Sequence, residues 1–130
     1  MTDLYMGLMS GTSMDGVDGA LVDFSSHKPS VAHVFSAPLA PNLRAELLAL
    51  NSAGPDELHR AALAANALAR TYAQVVQALL SASGLRAQEI RAIGAHGQTV
   101  RHQPNLKDAS GTSTGYTLQL NNPALIAELT

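Results

Sequence analysis

There is no cysteine among the 130 residues. That excludes disulfide staples and thiolate metal sites, and it fits a reducing, cytoplasmic setting. Charge is sparse too. Lys, Arg, Asp and Glu together make up 14%, and the formal net charge is −2. With a pI near 6.2, the chain offers no basic face to nucleic acid or to acidic lipid. No apolar run approaches the roughly 20 residues needed to cross a bilayer. The start, Met1-Thr2-Asp3, lacks the basic residues of a signal peptide. Internal repeats and low-complexity tracts are missing as well. What remains is 46% hydrophobic, a globular composition that suits one domain with one modest core.

The order of elements can be read along the chain. Leu4 to Met9 is a continuous apolar run closed by Ser10-Gly11, which predicts a strand covered on both faces. Val17 to Phe24 is a second strand, again expected to be covered on both faces, and the short Gly-containing loop between them predicts an antiparallel pair. Ser25 to Ser30, with Pro29, reads as a turn. Val31 to Ala37 is a third strand, ended by Pro38. Pro41 to Leu50 is a short helix, broken at Asn51-Ser52-Ala53-Gly54. A long helix follows, opened by Pro55-Asp56-Glu57 with the proline in its first turn and the acids at its positive end. Apolar residues from Leu58 through Leu68, Tyr72 and Val76 to Leu80 recur at three- and four-residue steps, and Gly84 is the expected stop. From Asp56 to Ser83 this helix spans about 42 Å at the standard rise. Its polar side, with Glu57, Arg60 and Arg70, is expected to be solvated.

Ile90 to Ala95 is a fourth strand, entered from a helix and so parallel to the first, and Gly94 to Gly97 ends it. Pro104 to Gly115 is a polar excursion, Tyr116 to Leu120 another strand or hairpin arm, and Pro123 to Leu129 a helix that Asn122 can cap. Thr130 falls in mid-element on this reading. Three strands in a row, a helix and then a strand predict an α/β fold. Its mixed sheet opens with an antiparallel three-strand meander, the order of a ribonuclease-H-like lobe.

Met9 to Asp18, MSGTSMDGVD, places Gly11 and Gly16 at the G-x-x-x-x-G spacing of a phosphate-binding loop. Val17 and Asp18 stand where that motif has Lys and Ser or Thr. Two glycines let the backbone approach a ligand, and Thr12 and Ser13 add hydroxyl donors. Asp15 and Asp18 cannot meet phosphate directly, because like charges at about 4 Å repel by several kcal/mol in a partly buried site. A divalent cation between them reverses the sign, and Mg²⁺ takes one or two carboxylates together with phosphate oxygens. A plain hairpin turn uses the same residue types, so spacing alone leaves both readings open.

Gly94-Ala95-His96-Gly97-Gln98-Thr99-Val100-Arg101-His102 follows the fourth strand, at the edge of an α/β sheet where ligands bind. His96, Gln98, Thr99 and Arg101 offer donors, acceptors and one fixed charge, a mixture that suits a polyhydroxylated or amide-bearing ligand. Arg101 could instead pair with a carboxylate, and the alternative for the whole segment is a polar loop whose His caps a backbone carbonyl. His27, His33 and His59 lie apart, and His96 and His102 lack the i, i+4 spacing of a helical metal pair, which argues against zinc. Ser10 does not stand in a G-x-S-x-G elbow, which argues against a serine hydrolase.

Three segments carry a resemblance: GLMSGTSMDGVDGALVDF (Gly7 to Phe24), IGAHGQTVRHQP (Ile93 to Pro104) and TLQLNNPALIAELT (Thr117 to Thr130). In this order and at these distances they resemble the anhydro-N-acetylmuramic acid kinases. The resemblance implies an actin-like ATPase and sugar-kinase fold, with two ribonuclease-H-like lobes around a cleft, of which this chain corresponds to the first third. It implies a reaction in which ATP and water open the 1,6-anhydro ring and O6 is phosphorylated, giving N-acetylmuramic acid 6-phosphate during cell-wall recycling. The implied cofactors are ATP and Mg²⁺. Gly11, Thr12, Ser13, Met14, Asp15, Gly16, Val17 and Asp18 are implied as the ATP phosphate loop, with Asp15 and Asp18 toward the metal. His96, Gly97, Gln98 and Thr99 are implied on the sugar side.

Two positions depart from the family. Asn121 and Asn122 stand where a Gly-Asp pair is usual, removing a carboxylate, and Leu129 replaces a common Arg. The family's catalytic base is an Asp in a later Asp-Thr-Gly-Pro-type segment, so no residue here is assigned as catalytic. The expectation is an N-terminal lobe that needs a second lobe as partner and is inactive by itself. A non-catalytic nucleotide- or sugar-binding module and a degenerate fragment are the alternatives. Such a lobe, exposing its cleft face and an unfinished sheet edge, is expected to self-associate.

Overall fold

The computed structural model describes residues 3–130; Met1 and Thr2, read above for the absence of a targeting start, lie outside them. The order is β1 (Leu4–Ser10), β2 (Gly16–Asp23), β3 (Ser30–Pro38), α1 (Pro41–Ala49), α2 (Glu57–Ser83), β4 (Ile90–Ala95), β5 (Gln98–Gln103), β6 (Tyr116–Leu120) and α3 (Pro123–Leu129). The main sheet runs β3-β2-β1-β4. The β1–β2 and β2–β3 pairs are antiparallel, and β1–β4 is parallel. This is the mixed sheet, opening with a meander, that the element order predicts. Among the described residues no helix is long and apolar enough to cross a membrane.

Period-2 patterning sorts β1 and β2 onto two faces. Leu4, Met6 and Leu8 of β1, with Val17 and Leu21 of β2, are buried in one core. The other face, with Met9, Asp18 and Val34, is exposed. The expectation that both faces are covered is therefore corrected: α2 covers one face, and nothing among the described residues covers the other. On the open face Tyr5, Gly7 and Met9 of β1 stand opposite Val22, Ala20 and Asp18 of β2, and these mostly apolar or small residues are why the runs looked continuous in sequence.

α2 is the covering layer. Ala64, Leu68, Tyr72, Val75, Val76 and Leu79 are buried along it, and each fully buried large apolar side chain stabilises by about 1.5–3 kcal/mol. The stripe starts later than the sequence suggested, since Leu58 is 90% exposed. Pro55 lies before the helix, because Asp56 is left-handed at φ 53° and the first helical residue is Glu57. Gly84 ends the helix at φ 70°, its N–H donating to the Leu80 carbonyl. The polar side is not simply solvated. Arg60 bridges to Glu46 of α1 at 2.6 Å, and Glu57 pairs with Arg101 of β5. Where α2 crosses β2, Gly19 permits the approach: a Cβ there would stand 2.4 Å from Val75 Cγ1.

The sequence assigns no element to the segment after Gly97, and a polar loop is one of its two readings. Residues 98–103 instead form β5, antiparallel to β6. Val100 and Leu120 anchor this hairpin in the core. Polar Gln, Thr, Arg and His outnumber the apolar residues of β5, so its strand depends on pairing with β6 and not on its own pattern. Asn122 caps α3 as predicted, accepting the Leu125 N–H at 3.1 Å, and also donates to Asn66 of α2 at 2.7 Å.

Two predictions follow from this packing. Gly19→Ala should lower stability by about 1–3 kcal/mol through overpacking against the stiff Val75, read as a lower urea midpoint at unchanged slope. The second concerns Tyr72, which is buried with no normal hydrogen-bond partner for its hydroxyl. Burial pushes its pKa from 10.0 up to about 12, partly offset by the Gly97 backbone and Ser10. The folded state thus holds this proton after the unfolded chain has lost it, so stability declines between pH 10.0 and about 12. Tyr72→Phe should flatten that decline while changing neutral-pH stability by less than about 1 kcal/mol.

Candidate functional site

The loop between β1 and β2 is held by its carbonyls. Gly11 and Met14 close a turn, the Met14 N–H donating to the Gly11 carbonyl at 3.1 Å. Arg44 of α1 donates from Nε to the Met14 carbonyl at 3.1 Å. Gln98 of β5 donates from Nε2 to the Gly11 carbonyl, also at 3.1 Å. The Met14 side chain is buried in the core, which accounts for its φ of 53° despite a non-glycine side chain. Among the described residues, no acceptor in the chain takes the N–H of Thr12 or Ser13, and both residues are exposed. Tied carbonyls beside unpaired amides are the chemistry from which anion-binding concavities are built.

The eight loop residues therefore divide by role. Met14 and Val17 are buried, so they contribute backbone alone. Asp15 and Asp18 are exposed and line one depression of about 370 Å³ with Gly11, Ser13 and Gly16. Ser36, opposite Asp18 in the β2–β3 register, donates from Oγ to Asp18 Oδ1 at 2.5 Å. That bond fixes the carboxylate and leaves its other oxygen for a ligand. Among the described residues no group of three or more His, Asp or Glu could hold a metal by itself. Two carboxylates beside free backbone amides fit a magnesium ion that takes its remaining oxygens from phosphate and water.

The two glycines are not equivalent. A Cβ on Gly16 would lie 2.3 Å from the Ala37 carbonyl oxygen, so β3 packing requires glycine there. A Cβ on Gly11 would meet nothing nearer than Ser13 Oγ at 3.9 Å. Among the described residues nothing demands the absence of a side chain at Gly11.

The depression continues across the open sheet face. A groove of about 820 Å³ shares Met9, Asp18 and Ser36 with it and runs past Gly7, Val34 and Gly94 to His96. The structure so brings the acidic loop and the His96 segment to one surface. His96 is exposed, and its Nδ1 lies 3.0 Å from the Gly97 carbonyl oxygen. Gly97 has φ 81°, and a Cβ there would stand 2.5 Å from the Leu120 carbonyl oxygen. Gln98 is wholly buried, Thr99 Oγ1 accepts from Gln119 at 3.2 Å, and Arg101 is engaged by Glu57 and the Asn51 carbonyl. Of the alternatives for Arg101, pairing with a carboxylate is the one observed. Asn121 donates to the Ala95 carbonyl at 3.0 Å and holds the end of β4 against β6.

Sequence reading missed Ser36 and Arg44. Both meet the loop through strand register or helix placement, 18 and 30 residues away in sequence, and no local pattern marks such partners.

The family model described as anhydro-N-acetylmuramic acid kinase matches residues 3–130. A protein of that name from Albidiferax ferrireducens is 65% identical over 100% of this chain and 32% of its own length. One from Variovorax paradoxus is 56% identical over 98% and 33%, and one from Bordetella pertussis 58% over 97% and 31%. The chain spans about a third of the length of the curated relatives it matches.

The contrast between the glycines yields a prediction. Gly16→Ala should cost about 2 kcal/mol or more, because its clash is with backbone, whereas Gly11→Ala should stay within about 0.5 kcal/mol of wild type. Chemical denaturation of the two variants side by side checks this. Equal losses would contradict the division of roles.

Proposed function

The chain belongs to the anhydro-N-acetylmuramic acid kinase family, and from that premise we propose that it forms the nucleotide-binding lobe of a cytoplasmic enzyme. That enzyme opens 1,6-anhydro-N-acetylmuramic acid with water and phosphorylates its O6 from ATP. The observation that carries the reading is the shared concavity. Asp15, Asp18, Ser13 and Gly11 line the same depression, and the unpaired amides of Thr12 and Ser13 belong to the turn at its edge.

In this reading the Thr12 and Ser13 amides and hydroxyls receive phosphate oxygens. Asp15 and Asp18 would hold magnesium or its water shell, which when bound supplies the positive charge that a lysine supplies in other phosphate loops. Ser36 keeps Asp18 turned toward the depression. Arg44 and Gln98 hold the loop carbonyls away from it, removing negative dipoles that would repel phosphate. The sugar is proposed to lie farther along the groove, where His96 lines the surface with Gly97 and Thr99 beside it. No residue of this chain is assigned as the base that activates water.

The bare sheet face favours catalysis only with a covering partner, proposed to be a second lobe. This segment by itself is read as a nucleotide binder without turnover that associates through its exposed apolar surface. Val34 there is 74% exposed, an unusual position for a β-branched strand residue.

The test uses the full-length native protein with ATP, Mg²⁺ and the anhydrosugar, with mass spectrometry of the sugar product. The 6-phosphate is expected; its absence at any enzyme level refutes the kinase reading. Calorimetry with ATP separates binding from turnover. Heat that depends on Mg²⁺ is expected, reduced at least tenfold in affinity by Asp15→Asn with Asp18→Asn, as loss of both charged ligands implies. Asn at position 18 still accepts from Ser36, so the loop scaffold is retained.

A further inference from the structure

We propose that Gln98 is a positioning residue for the nucleotide loop, holding the Gly11 carbonyl so that the amides after it face the phosphates. The argument rests on the nucleotide reading above. It departs from the sequence resemblance, which placed Gln98 on the sugar side.

Gln98 has 0% exposure and Ser10 has 1%. A buried carboxamide is costly unless both of its ends are paired, and here both are. Ser10 Oγ donates to Gln98 Oε1. Gln98 Nε2 donates to the Gly11 carbonyl at 3.1 Å, which also accepts from the Met14 N–H at 3.1 Å. The orientation is fixed by chemistry, since a flipped amide would set two oxygens against each other at Gly11. The contact spans 87 positions of sequence. It joins the end of β1 to the first residue of β5.

The platform behind Gln98 is rigid. Gly97 is pressed against the Leu120 carbonyl. Asn121 ties β6 to the Ala95 carbonyl. Tyr72 fills the space behind Ser10, its buried hydroxyl close to Ser10 and the Gly97 backbone. A carboxamide set on such a platform locates the Gly11 carbonyl to within hydrogen-bond tolerance. The turn that begins there carries the free amides of Thr12 and Ser13. The side chain has no surface left to offer a sugar.

The experiment is Gln98→Glu in the full-length native protein. It keeps the shape and replaces the donor facing Gly11 by an oxygen. KM is measured separately for ATP and for the anhydrosugar, ADP affinity with Mg²⁺ by calorimetry, and folding by near-ultraviolet circular dichroism. KM for ATP and the ADP dissociation constant should rise about tenfold, the scale of one lost buried hydrogen bond with its partner left unpaired. KM for the sugar should stay within about twofold. The introduced carboxyl can still donate to Gly11 when protonated, so the nucleotide defect should deepen between about pH 6 and about pH 8.5. A purely structural defect would lack that pH dependence. Ser10→Ala, which leaves the Gly11 bond in place, should shift nucleotide affinity in the same direction by about threefold, and it carries the test if Gln98→Glu does not fold.

Unchanged nucleotide affinity in a folded variant, beside a wild type that binds, overturns this assignment alone. A rise confined to the sugar KM does the same and returns Gln98 to direct sugar contact. A wild type that binds no nucleotide overturns the underlying reading and this assignment with it.

Discussion

The apolar stripe of α2 closes over the core-facing residues of β1 and β2, and the site is built on that layer. Leu68, Tyr72, Val75 and Leu79 are fully buried there, and Gly19 lets the helix settle against β2. With one face of the sheet sealed, β1 and β2 are held rigidly enough to present the loop between them. α1, the β5–β6 hairpin and α3 pack around the same helix. Two of these, α1 and β5, reach back to the loop through Arg44 and Gln98.

The loop, on the proposed reading, would make a phosphate site without a lysine. Inward bonds to the Gly11 and Met14 carbonyls and burial of Met14 remove freedom from the chain. Preorganisation of that kind lowers the ordering cost of binding. Two acids beside the amides would, on the proposed reading, favour phosphate that arrives with a cation. Free phosphate would meet repulsion there. The bare sheet face continues this logic. Its glycines leave a shallow floor from Asp18 to His96, room for a ligand and for whatever covers it.

Much of this was legible in the chain. The meander, the long helix, its Gly84 stop, the Asn122 cap and the parallel fourth strand all follow from local rules: periodicity, capping and turn chemistry. Errors arose where those rules lacked information. Continuous apolar runs in β1 and β2 suggested two covered faces, because apolar content cannot say which layer is present. β5 was hidden because a polar strand paired in a hairpin has no apolar pattern to announce it. Pro55 was set inside the helix, because the left-handed turn at Asp56 leaves no composition signal.

By itself the sequence determined the elements other than β5, their order, the acid-bearing loop and the family, because each depends on residues close together in the chain or on whole-segment similarity. Only the tertiary structure decided which loop groups face out, that Ser36 steers Asp18, that Arg101 is spent on Glu57, and that Gln98 is buried beneath Gly11. These depend on strand register and helix placement. Distances between residues 18 to 87 positions apart are set by packing, and no short pattern encodes them.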